Sequence, residues 1–238
     1  RMALGEGDAE FGARYWSLAR NSFMLAALSA LLAALLAVLL AYAARGGKNR
    51  LSGWANRLVG LGYAVPGSVI AVGVLIPVTR LDHWLATLWQ QAMGANPGLI
   101  LTGGVAARVY AYLARFLAIA LQTVEAGLSR ITASMDDAAR SLGLNDAETL
   151  RRVHLPLLSG SALTAALLVF VDVMKELPAT LVMRPFNFDT LATQTFTLAA
   201  DERLAEASTA ALAIVAVGLV PIAVLARQIA KGRAVSGC

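Results

Sequence analysis

The sequence predicts an all-α membrane protein, a polytopic helical bundle that forms one transmembrane domain over residues 1–238. Of its 238 residues, 58% are hydrophobic and only 15% are charged, whereas soluble domains carry about 25% charged residues. Disordered chains combine low hydrophobicity with high net charge, so this composition excludes them. The single cysteine, Cys238, excludes an intrachain disulfide and a cysteine-ligated metal within these residues.

About five spans are predicted, because a helix needs roughly 20 apolar residues to cross a bilayer. The first and last are free of charge, and the three between them carry proline or charged residues. The predicted spans are Ser22–Ala44, Leu58–Thr79, Leu99–Gln122, Gly160–Met183 and Ala207–Ala226.

Basic residues are concentrated in the first and third loops and in the C-terminal tail. Cytoplasmic loops carry such an excess, so these segments are predicted to be cytoplasmic, and the positive charge indicates topology rather than nucleic-acid binding. Residues 1–21 are then an external segment, and residues 22–122 hold three spans. Residues 123–159 form a cytoplasmic loop, and residues 160–238 hold two spans and the tail. An odd number of spans and an opening Arg1 suggest a fragment that lacks an upstream helix.

The third loop has the clearest local signals. A helix over Ser134–Leu142 is predicted to end at Gly143, because glycine accepts the positive φ of a C-terminal cap without penalty. Asn145 is a good N-cap for a second helix, and Glu148 stands three residues later, as in a capping box. This second helix is predicted to stop before Pro156.

The same loop resembles the "EAA loop" of ABC importer permeases, whose pattern is Glu-Ala-Ala, three residues, Gly, nine residues, Ile, one residue, Leu-Pro. The chain differs conservatively at two positions, with Asp for Glu and Val for Ile. The residues that the resemblance assigns to ATPase coupling are Asp137, Ala138, Ala139, Gly143, Leu144, Asn145, Val153, Leu155 and Pro156.

This resemblance implies a type I ABC importer fold and a permease subunit in a bacterial inner membrane. The loop would dock on separate ABC ATPase subunits, which would bind ATP and Mg²⁺, and a periplasmic binding protein would deliver the substrate. The chain itself would hold no cofactor and catalyse no reaction. Its sequence agrees, since it has no G-x-x-x-x-G-K-[ST] motif for ATP. The alternative that loop packing alone explains Ala138, Ala139, Leu142 and Leu155 stays open.

The C-terminal half is similar to ferric-iron importer permeases. The similarity lies in Lys175–Leu181, Arg184–Ala192 and Asp201–Ala207. It implies the second of two permease halves, which are often fused in one polypeptide, with the other half upstream and ferric iron as the substrate. Thiamine, phosphonate, sulfate and polyamine permeases share this architecture. No cluster of His, Tyr and carboxylates with ligand-like spacing is present, so no metal site is assigned.

Charged residues within the predicted spans have two interpretations. The spacing of Asp172, Lys175 and Glu176 predicts one helix face, and Arg108 and Arg115 share another. Such charges either neutralise one another or line a passage or gate, and Pro178 would weaken the helix nearby. A secondary transporter that uses Asp172 and Glu176 as ion relays is the rival class, but it leaves the loop motif unexplained.

Overall fold

A computed structural model describes residues 13–46, 50–95, 97–98, 101–102, 104–184 and 188–235. Within these ranges the chain is helical, without strands. The helices are α1 (Ala13–Gly46), α2 (Arg50–Leu61), α3 (Gly67–Met93), α4 (Val105–Leu128), α5 (Ala133–Ser141), α6 (Asp146–Thr149), α7 (Leu155–Met174), α8 (Pro178–Val182), α9 (Leu191–Ala200) and α10 (Leu204–Val235). Most of the predicted external segment and Cys238 lie outside the described residues.

Five helical segments of the described chain are long and apolar enough to cross a membrane, as predicted. Their bounds differ from the predicted ones, since the first begins earlier and the fourth is displaced towards the N-terminus. The segments are Tyr15–Arg45, Gly67–Met93, Val105–Leu128, Asp146–Met174 and Leu204–Val224.

Helices α1, α4 and α7 pack against one another at the centre of the bundle. Helix α1 contributes a buried stripe of small side chains that includes Ala26, Ala33 and Ala37. Small residues let helix backbones approach closely in a membrane, where packing rather than water exclusion drives association. Leucines on its other face, such as Leu31 and Leu35, are exposed in the isolated chain, which suits contact with lipid.

The second span begins at Gly67, nine residues later than predicted, and runs on to Met93. Pro66 explains the late start, because proline fixes φ, lacks an N–H donor and disfavours helix in the residue before it. Its carbonyl instead accepts the backbone N–H groups of Val69 and Ile70 in the first turn of α3. Pro77 lies inside the helix without ending it, which membrane helices tolerate.

The predicted helix end before Pro156 is wrong. Helix α6 leads into a π turn, Leu150–His154, and then directly into α7. In this turn the Leu155 N–H donates to the Leu150 carbonyl, five residues back. Because proline cannot donate and crowds the preceding turn, a local π turn allows the helix to continue.

The fourth span also ends earlier than predicted, at Met174 instead of Met183. Lys175 is the C-cap of α7, and Pro178 occupies the first turn of the separate short helix α8. Proline is favoured there because that N–H has no helical partner. Pro178 therefore begins a helix and does not weaken a continuous one.

Candidate coupling loop and intramembrane charges

The α5 loop, residues 129–154, joins α4 to α7 and turns as the sequence predicts. Gly143 has φ of +81°, a backbone conformation that other residues adopt only at a cost. The Gly143 N–H donates to the Arg140 carbonyl at 2.9 Å, and the Leu144 N–H donates to the Ala139 carbonyl at 3.1 Å. These two bonds form a Schellman C-cap, which fixes the direction in which the chain leaves α5.

The start of the next helix is also as predicted. The Glu148 N–H donates to the Asn145 side-chain oxygen at 2.9 Å, and the Asn145 N–H donates to the Glu148 carboxylate at 3.1 Å. This reciprocal capping box satisfies two backbone donors that the helix itself cannot satisfy. Cap and box together hold both ends of the turn.

The tip of the α5 loop presents apolar side chains outward. Leu142 is 81% exposed and Met135 is also exposed, whereas Ala139 is 4% exposed. Asp137 and Ala138 are exposed. Packing within the chain therefore accounts for Ala139 but not for Ala138 or Leu142, and Leu155 is exposed too. Val153 is half-buried and Pro156 is exposed in the stem that follows.

A polar cluster that the motif did not predict lies beneath the tip. We call it the stem cluster and define it as Tyr42, Arg45, Asp136 and His154. The Arg45 guanidinium donates to Asp136 Oδ2 at 2.7 Å. His154 Nε2 lies 2.7 Å from Asp136 Oδ1, and the Tyr42 and His154 rings lie 5.5 Å apart. A polar cavity of about 150 Å³ lies beside these groups.

Arg45 also bonds the backbone at the start of the α5 loop. Its Nη1 donates to the Leu128 carbonyl at 3.2 Å and its Nη2 to the Ile131 carbonyl at 2.9 Å. Burial alone would raise the pKa of the Asp136 carboxyl, but hydrogen bonds and charges from Arg45 and His154 outweigh burial and hold that pKa below its usual range. Asp136 is therefore a carboxylate at neutral pH.

The predicted charged face of the fourth span is wrong, because the helix ends between Asp172 and Glu176. Asp172 pairs with Lys175 at 2.8 Å, with the lysine exposed. Glu176 lies beyond the end of α7 and is 6% exposed. The predicted set of three charges on one face is therefore divided, because Asp172 pairs with Lys175 whereas Glu176 pairs with a residue of another helix.

Arg115 of α4 is the partner of Glu176, at 2.8 Å. The same Glu176 oxygen accepts the Ala179 N–H at 3.2 Å, and the backbone carbonyl of Glu176 accepts the Thr180 hydroxyl at 2.6 Å. Gly67 passes so close to the pair that a Cβ there would overlap Arg115 Nη1 and Glu176 Oε1. The pair therefore joins the break after α7 to α4 and to the start of α3.

Arg108 does not join this pair. It is 1% exposed, and none of its guanidinium nitrogens has a hydrogen-bond partner among the residues that the structure describes. Its guanidinium carbon lies 4.0 Å from the centre of the Phe188 ring, a cation–π contact. Arg108 and Arg115 are seven residues apart on α4 but have different environments.

No group of three or more His, Cys, Asp or Glu side chains that could hold a metal ion occurs among the described residues.

The described chain combines five helical segments that are long and apolar enough to cross a membrane with an exposed loop that joins α4 to α7. The family model described as "Binding-protein-dependent transport system inner membrane component" matches residues 31–234. The chain belongs to this family of ABC importer permeases.

Relatives and solved structures agree with this family. The chain is 29% identical over 219 residues to the Fe(3+)-transport system permease protein FbpB 2 of Haemophilus influenzae, an alignment that covers 92% of the chain and 40% of that protein. It is 28% identical over 167 residues to PhnV of Salmonella typhimurium, a permease protein assigned to 2-aminoethylphosphonate transport, covering 70% and 57%. The chain thus spans about half the length of these relatives.

The fold is that of a solved importer. A crystal structure of a bacterial ABC transporter involved in the import of the acidic polysaccharide alginate superposes with a TM-score of 0.73 at 14% identity, covering 97% of this chain and 86% of that one.

Proposed function

We propose that this chain is a permease half of an ATP-driven importer and that its α5 loop transmits work from a separate ATPase. The observation that carries the proposal is the exposed tip, where Leu142 is 81% exposed and Met135 is also exposed, so that apolar surface on the loop is available to a partner. The rigid caps at Gly143 and Asn145 support it, because a loop that transmits force must not deform.

In this proposal the loop end of the bundle faces the cytoplasm of a bacterium and the chain lies in its inner membrane. The basic residues of the first and third loops favour this orientation. ATP and Mg²⁺ belong to the ATPase, while Asp137, Ala138 and Leu142 contact it. A periplasmic binding protein delivers the substrate to the opposite end, where a second permease half, encoded in the same or a separate polypeptide, completes the passage.

Ferric iron is the substrate that we propose, because the FbpB 2 relative aligns with 92% of the chain. A phosphonate is the second candidate, since PhnV aligns at nearly the same identity over a shorter length. Selection of the substrate is assigned in this proposal to the periplasmic binding protein.

The experiment is uptake by the complete transporter in proteoliposomes, with the binding protein loaded with radioactive ferric iron or with 2-aminoethylphosphonate. The proposal predicts that iron is taken up only when ATP is hydrolysed on the side of the membrane that carries the ATPase. Uptake of 2-aminoethylphosphonate but not of iron would show that the phosphonate is the substrate, and the proposed permease function would stand. ATP-independent uptake of either would refute the proposed coupling.

A Leu142→Ser variant tests the contact itself. Its side chain is 81% exposed, so folding should be unaffected while ATPase association weakens. Leu204→Ser is the matched control, because Leu204 is an exposed leucine at the start of α10, outside the α5 loop. Equal loss of association in both variants would refute a specific contact at the tip.

A further inference from the structure

The stem cluster connects the α5 loop to a helix that is far away in sequence. The backbone joins the loop only to α4 and α7. Arg45, at the end of α1, bridges 91 residues to reach Asp136 and bonds two loop carbonyls as well. Through these three bonds α1 becomes a third support of the loop.

Two further contacts strengthen the same connection. The Tyr42 hydroxyl donates to the Asp146 carbonyl at 3.1 Å, so a second α1 side chain holds the start of α6. Buried His154 bonds the free oxygen of Asp136, which fixes the carboxylate between α1 and the π turn. Asp136 is therefore the shared partner of α1, α5 and the stem of α7.

Such a carboxylate matters mechanically because charge-assisted hydrogen bonds are stronger and more directional than neutral ones. Arg45 uses both terminal nitrogens at once, which a lysine could not reproduce. By contrast, the exposed Glu148–Arg152 pair, at 3.9 Å, lies within one helical segment and connects no other element.

We propose that Arg45 and Asp136 are positioning residues for coupling: they bind the α5 loop to α1, so that displacement of the loop by the ATPase moves the first span together with α4 and α7. This inference rests on the proposed function of the loop. It adds to the loop motif two residues that lie outside its pattern and a helix that the motif does not include.

The test measures whether α1 and the loop move together in the complete, reconstituted transporter. Spin labels at Ala43→Cys and Ala133→Cys, both at exposed positions, with Cys238 replaced, report the distance between α1 and α5. We expect this distance to be the same in the nucleotide-free and ATP-trapped states, and to change between them in Asp136→Asn. An unchanged distance in Asp136→Asn would overturn the proposal, as would a distance that already changes with the native Asp136.

The second readout is the amount of substrate transported per ATP hydrolysed, with binding-protein-bound ferric iron as the probe. We expect this ratio to fall roughly fivefold or more in Asp136→Asn, within the range of mutations along coupled networks. Arg152→Gln is the control with an unchanged ratio. A purely structural role would lower both rates together and leave the ratio unchanged, which would overturn the proposal.

A second substitution keeps the test decisive if Asp136→Asn does not assemble. Arg45→Lys retains the charge but cannot reach all three acceptors, and we expect the same reduced ratio. A normal ratio in assembled Arg45→Lys would refute the positioning role. Leu142→Ser separates the two proposals: if it loses ATPase association while the stem variants couple normally, only the positioning role fails.

Discussion

Glu176→Gln tests whether the buried pair is structural. Gln keeps the volume and one acceptor of Glu176 but removes its charge, so Arg115 loses a charge-assisted hydrogen bond of 2.8 Å. Removing one partner of a fully buried ion pair costs about 3–5 kcal/mol. Arg115 is 21% exposed and can be partly hydrated, so we expect the free energy of unfolding to fall by about 2–3 kcal/mol.

The assay is denaturant unfolding of the purified complex, combined with initial uptake rates for the same preparation. A structural pair predicts lower stability and a normal uptake rate per folded complex. The double variant Arg115→Met/Glu176→Gln should recover part of the loss, because no unpaired charge remains and the glutamine oxygen can still accept the Ala179 N–H. A fully stable Glu176→Gln complex with impaired uptake would refute this reasoning and place Glu176 in the passage.

Three further predictions concern single residues. Gly143→Val should cost roughly 1–2 kcal/mol of loop stability and reduce coupling, because valine resists positive φ. A Cβ there would meet nothing within 4 Å, so the cost comes from the backbone conformation, and undiminished ATP-driven uptake at normal expression would contradict the prediction. Gly67→Ala should lower the thermal stability of the complex, since its Cβ would overlap the Arg115–Glu176 pair; Gly73→Ala, where nothing lies within 4 Å, is the control, and equal melting temperatures would count against the packing. The low pKa of Asp136 stabilises the fold above the unfolded pKa of about 3.9, and this stabilisation is lost as pH falls through the folded pKa. The difference in unfolding free energy between the native chain and Asp136→Asn should therefore have its largest value at pH 7 and become smaller below about pH 4. A difference that does not depend on pH would exclude the ionised carboxylate as its cause.

Features set by neighbouring residues were predictable from the sequence. Gly143 and the Asn145–Glu148 box act over three or four residues, and the structure has both. The five spans follow from apolar length alone. Proline was harder, because the same residue can end a helix, start one or lie within one. Pro156 follows a π turn and Pro178 begins α8. The residues next to each proline in the sequence do not show which of these roles it takes.

Pairs between distant residues could not be predicted from spacing. Arg45 meets Asp136 across 91 residues, and Arg115 meets Glu176 across 61. Such pairs depend on which helix ends are adjacent, and helical periodicity carries no such information. Asp136 stands directly before the motif residue Asp137, so the acidic pair was visible in the sequence although the inward role of its first member was not.

The tip of the α5 loop is proposed to contact the ATPase, and site-specific crosslinking tests this contact most directly. A photoreactive amino acid at Leu142 in the assembled transporter should crosslink to the ATPase subunit. The same group at Leu204, which is exposed at the start of α10, should not. A Leu142 crosslink confined to lipid or to the periplasmic binding protein would contradict the account.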